Sequence, residues 1–92
     1  MLLIIDSTKK VKVGTKAVTV EGHCRPFQMV NTSATATVYF KEMGDDNKAA
    51  TAENSFALLP GQTLRGPLTA RKLSILSSEA DTDVRLLFGS EG

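Results

Sequence analysis

The chain has 92 residues, of which 41% are hydrophobic, 23% charged and 5% aromatic. That suffices for one domain and falls short of two, and it excludes a disordered, collagen-like or membrane-spanning chain. Eleven Lys and Arg against ten Asp and Glu leave a net charge of +1, too even a balance for nucleic acid as the main partner, and the single cysteine excludes an internal disulfide.

The dominant pattern is alternation of apolar and polar residues in short runs split by turn residues. Met1-Leu2-Leu3-Ile4-Ile5 is apolar and stops at Asp6. It is too short for a membrane helix and has no basic start for a secretion signal, so it is expected to be a first strand. Lys10–Val13 alternates and breaks at Gly14-Thr15; Ala17–Val20 follows and breaks at Glu21-Gly22. Phe27–Asn31 is a further strand, ending in the turn-like Asn31-Thr32-Ser33. Ala34 to Phe40 is the clearest, with Ala34, Ala36, Val38 and Phe40 on one face and Thr35, Thr37 and Tyr39 on the other.

Residues 41–54 are polar and turn-rich, and are expected to form a long exposed loop. Ser55–Leu59 resumes the sheet, Pro60-Gly61 presets a turn, and Gly66-Pro67 is a second break. Arg71–Ser77 places Leu73 and Ile75 on one face, with Ser74 and Leu76 opposite. Ser78–Asp81 reads as a hairpin connection into Asp83–Phe88, whose Val84, Leu86 and Phe88 point inward. Seven to eight short strands, with no helical pattern long enough for a crossover, predict one all-β domain: a small antiparallel β-sandwich or a jelly-roll-like barrel.

The chemistry-bearing residues are few. His23, the single histidine, adjoins Cys24, but neighbours on an extended strand point to opposite faces, a poor geometry for a nucleophile and its base. Asp45-Asp46 and Asp81-Thr82-Asp83 are the close carboxylate sets, and both fall in expected turns, where Asp bonds its own backbone. The acids lack the spacing of a calcium loop, one Cys and one His exclude a zinc pattern, and the glycines form no phosphate-cradling loop, so no cofactor is expected. Asn31-Thr32-Ser33 fits the glycosylation triplet but is expected to be a plain turn. Lys9-Lys10-Lys12-Lys16 and Arg65-Arg71-Lys72 are basic clusters, which suit either guarded sheet edges or contact with an acidic partner.

Three stretches carry a family resemblance: Val30–Ser33 leading into Ala34–Phe40, Phe56–Thr63 with its Leu-x-Pro-Gly turn, and Leu73–Ser78 leading to Thr82–Leu86. Over roughly residues 27–88 the chain resembles small phage virion accessory proteins. The resemblance implies a non-enzymatic β-sandwich that decorates or cements a capsid or seats a head fibre. It implies a homo-oligomer, often a trimer, bound to a major capsid protein or another virion protein, and so a location in the virion after assembly in the bacterial cytoplasm. It supplies no catalytic residue.

The physical reading agrees in kind, because a domain this small without a disulfide gains stability by self-association or docking. The expected mechanism is multivalent surface binding without catalysis, and neither nucleic acid nor membrane is an expected partner. The expected contact residues are Leu2, Leu3, Ile4 and Ile5 in the apolar start, with Arg65, Arg71 and Lys72 in the second basic cluster. A small ligand- or carbohydrate-binding module is the alternative, weakened by the absence of Trp and the single Tyr.

Overall fold

A computed structural model describes residues 3–21, 27–43, 48–69 and 71–91, with the backbone alone at 3–7, 65–68, 90 and 91. Eight strands form: β1 (Leu3–Val13), β2 (Val18–Glu21), β3 (Phe27–Asn31), β4 (Val38–Glu42), β5 (Phe56–Leu58), β6 (Thr63–Leu68), β7 (Lys72–Ser77) and β8 (Thr82–Glu91). They make two antiparallel four-stranded sheets, ordered β1-β8-β3-β6 and β2-β7-β4-β5. β1 pairs with β8, β2 with β7, β3 with β6 and β4 with β5, as if one long hairpin had been rolled up on itself. That is the jelly-roll order of a two-layer sandwich.

The alternation puts one side chain in two into the space between the sheets. Val13, Phe27, Met29, Val84, Leu86 and Phe88 enter from the first sheet, and Val20, Val38, Phe40, Leu58, Leu73 and Ile75 from the second. Phe27 and Phe88 meet with ring centroids 6.2 Å apart, across a directly paired position of β3 and β8. Leu76 and Leu87 sit half-buried on the outer faces of different sheets.

Several expectations change. Leu3–Ile5 of the apolar start and Lys10–Val13 are one strand, interrupted by a bulge at Asp6, where the register with β8 shifts between Ile5 and Ser7. Gly66-Pro67 does not end a strand. It lies within β6, an edge strand whose register with β3 slips between Phe27↔Leu68 and Met29↔Leu64. Edges and bulges are where a ladder tolerates a residue with no N–H.

Ser78–Asp81 is not a hairpin either, because β7 and β8 belong to opposite sheets and the segment arches between them. Residues 32–37 precede β4 as irregular chain, with Ala34 exposed and Ala36 buried. In the 41–54 segment, residues 41 and 42 extend β4. Ala50 is buried, its N–H donating to the buried Ser74 Oγ at 2.8 Å on the outer face of the second sheet.

Two polar clamps tie the layers together. Asn31 is fully buried at the end of β3. Its Nδ2 donates to the carbonyls of Ala36 at 2.8 Å and Leu58 at 3.0 Å, and its Oδ1 accepts the Ser33 N–H at 3.0 Å. One amide therefore holds its own turn and reaches β5 in the opposite sheet. The second clamp sits in the β7–β8 arch. Thr82 Oγ1 donates to the Glu79 carbonyl at 3.0 Å, so the 2.7 Å contact between Ser77 Oγ and Thr82 Oγ1 takes its proton from Ser77. Ser77 Oγ also accepts the Glu79 N–H, while Ser77 N–H donates to the Gly14 carbonyl at 2.8 Å.

Replacing Asn31 by Ala strands two carbonyls and one N–H near the core. Urea unfolding is expected to show a loss of about 2–4 kcal/mol. A loss below roughly 0.5 kcal/mol would mean that water replaces the amide at no cost.

Candidate functional site

The two lateral sides of the sandwich differ. On one side stands the β1 edge. Lys9 pairs with Leu86, whose side chain is in the core, so Lys9 points toward the inner face yet remains exposed at the rim. An inward-pointing lysine and a nearby bulge both discourage a further strand from adding to that edge.

On the opposite side the guards are confined to β6, with its Pro67 and its register slip against β3. There β5 ends one sheet and β6 ends the other. Between Glu53 and Arg65 the chain has no charged residue. Phe56 and Leu59, 72% and 56% exposed, are the exposed large apolar side chains among the described residues.

Their exposure follows from position. Phe56 pairs directly with Phe40 at the end of the β4–β5 ladder and stacks on it, with ring centroids 5.8 Å apart and planes tilted by 32°. The strand faces the interior, but β5 is an edge and nothing described covers the outer side of the ring. Leu59 opens the turn to β6. Pro60 and Gly61 fill its centre, Gly61 with φ +74°, and the Leu59 carbonyl accepts the Gln62 N–H at 3.0 Å. Those are the features of a type II turn, which requires positive φ at its third residue. Gln62 Oε1 accepts the Leu59 N–H at 2.9 Å and makes the turn rigid.

Between β5 and β6 lies an open cavity of about 360 Å³, lined by Phe40, Phe56, Leu58, Leu64, Gln62 and their neighbours. Its walls are mostly apolar, with the Gln62 amide and Thr63 hydroxyl as polar groups. Such a lining takes an apolar ring or side chain, and among the described residues it contains no ionisable acid or base.

A smaller hollow of about 200 Å³ lies among Thr32, Ser33, Glu79, Asp81 and Asp83. Each of these acids has a local explanation or contact. Asp81 holds a left-handed turn at φ 56°, Glu79 Oε1 accepts from Thr35 Oγ1 at 3.1 Å, and Asp83 Oδ2 lies 3.6 Å from Lys10 Nζ. Among the described residues no group of three or more His, Cys, Asp or Glu is placed to hold a metal ion. His23, Cys24, Asp45 and Asp46 lie outside the described residues.

The expected contact residues do not form one surface. The backbone of Leu3, Ile4 and Ile5 is paired with Glu91, Ser90 and Gly89 of the same chain, and Leu2 lies outside the described residues. Arg65 is in β6, at the far edge of that sheet from β1. Arg71 and Lys72 belong to the other sheet's side: Arg71 N–H donates to Glu42 Oε2 at 3.1 Å, and Lys72 opens β7 opposite Glu21. The Asn31 triplet spends its amide on structural hydrogen bonds. Phe56 and Leu59 escaped the sequence reading because alternation marks them as ordinary strand and turn residues. The absence of charge between Glu53 and Arg65 was the available signal.

No family model matches the chain, and neither a curated protein nor a solved structure does.

Because Phe56 is mostly exposed, Phe56→Ser is expected to change unfolding free energy by no more than about 1 kcal/mol while lowering the fluorescence of a dye that binds apolar surface. Unchanged dye fluorescence would show that the ring is not the accessible apolar surface.

Proposed function

We propose that this protein is a non-enzymatic structural protein of a virus particle, which self-associates and binds a capsid or related virion surface through several copies of a modest interface. The observation that carries the reading is the uncharged 54–64 stretch. It places exposed Phe56 and Leu59 beside an open apolar cavity at the β5–β6 side of a jelly roll. Apolar surface of that kind is stabilised by a protein contact. Jelly rolls serve in viral shells, and the sequence resembles phage virion accessory proteins over residues 27–88; both favour a particle component. The homo-oligomer, with a trimer as the favoured form, the capsid protein as partner and the virion as location belong to this proposal.

Jelly rolls also serve as lectins, and an exposed aromatic ring beside a cavity suits stacking on a sugar or another small apolar ring. Phe56 is the observation that favours this second reading.

Sedimentation across a concentration series separates the two. Association is expected at micromolar concentration, and Phe56→Asp with Leu59→Asp is expected to weaken it at least about tenfold, since a charge placed in an apolar contact removes its central anchor. A wild-type protein that stays monomeric but binds a glycan array reproducibly, with loss on Phe56→Asp, would replace the structural role by the ligand-binding one.

A further inference from the structure

The outer face of the β1-β8-β3-β6 sheet carries a cationic row that the described residues leave largely unmatched. Directly opposed residues of an antiparallel pair share a face. Lys10 with Arg85, and Lys12 with Asp83, therefore stand together on the side away from Val13, Val84 and Leu86. Lys10 and Arg85 are like charges in direct register, which lowers the stability of the ladder.

The one carboxylate in the row is Asp83. Its Oδ2 lies 3.6 Å from Lys10 Nζ, with the two side chains 39% and 62% exposed, so water screens the pair. Asp83 Oδ1 is buried without a hydrogen-bond partner, and among the described residues neither Lys12 nor Arg85 has an ion-pair partner. One strand further in, Val30 lies opposite Arg85 and Gln28 opposite Leu87. Val30 and Leu87 are half-buried on this face. The surface thus has an apolar centre with an arginine in it and lysines along one rim. Arginine at the centre and charge at the rim are common in protein contact surfaces. The other sheet's outer face is partly roofed by Ala50 over Ser74.

We propose that this face docks an acidic protein surface, whose carboxylates pair with Lys12 and Arg85 while its apolar side chains cover Val30 and Leu87. Charge complementarity identifies the partner. Three cations interrupted by Asp83 are a short track for a phosphate backbone, whose binding grows with each phosphate neutralised, whereas a folded acidic surface can set single carboxylates against Lys12 and Arg85 and leave Asp83 uncovered. The proposal is independent of self-association, because Phe56 and Leu59 lie at the β5–β6 side and are not part of this face.

Immobilised poly-L-glutamate tests it, with duplex DNA as the phosphate counterpart. The wild-type protein is expected to bind polyglutamate at low salt, to bind DNA more weakly, and to lose both as ionic strength rises. Arg85→Glu is expected to weaken polyglutamate binding at least about tenfold, whereas Lys41→Glu, the same charge change on the other sheet, stays within about twofold. Arg85→Gln, checked by circular dichroism, is expected to fall between and serves if Arg85→Glu does not fold. Equal losses for Arg85→Glu and Lys41→Glu, no binding of wild-type protein to polyglutamate, or tighter binding to DNA would each overturn the proposal.

Discussion

The fold depends on how one buried amide closes the gap between two sheets. Of the six strand pairings, only β4 with β5 joins strands consecutive in the chain. Every other pairing closes a long loop, whose entropy cost comes before any contact rewards it. The connections must therefore be held at defined points. Asn31 is one such point: it ends β3, shapes the turn into the 32–37 segment and grips the Leu58 carbonyl in the opposite layer. A hydrocarbon side chain at that position could fill the volume but could not satisfy the carbonyls that converge there. The same logic explains Ser77 and Thr82, whose hydroxyls fix the arch into β8.

Once the layers are fixed, the asymmetry of the two sides follows. A jelly roll has two lateral sides, and here they are treated differently. Lys9 and the Asp6 bulge protect the β1 edge from adding a strand. The β5–β6 side has a three-residue strand, a turn stiffened by Gln62 and an exposed pair of apolar side chains. Rigid presentation reduces the entropy lost on contact, so even a small apolar patch becomes useful when several copies act together. A contact role needs no converging acid and base, and shape and exposure suffice for it.

Much of the fold was legible in the sequence because burial in a sandwich follows a period of two. Val84, Leu86 and Phe88, and likewise Leu73 and Ile75, face the core as their alternation requires. What remained illegible was set by partners distant in the chain. Gly66-Pro67 looks like a strand end locally, yet β3 holds it as a bulge in an edge strand. Ser78–Asp81 has hairpin composition, and only the sheet order makes it an arch between layers. The exposed apolar pair was least legible. Leu3–Ile5 are apolar, and the backbone of that edge strand is paired on one side, with β8. Phe56 reads as an ordinary strand residue and is exposed because β5 ends its sheet.

The central claim, that the β5–β6 side is where copies of this chain meet, is most directly tested by hydrogen exchange at increasing protein concentration. The account predicts that amides between Phe56 and Leu64 gain protection as concentration rises, while those of the β1 edge do not. Exchange rates in that stretch independent of concentration, or protection gained at the β1 edge instead, would contradict it.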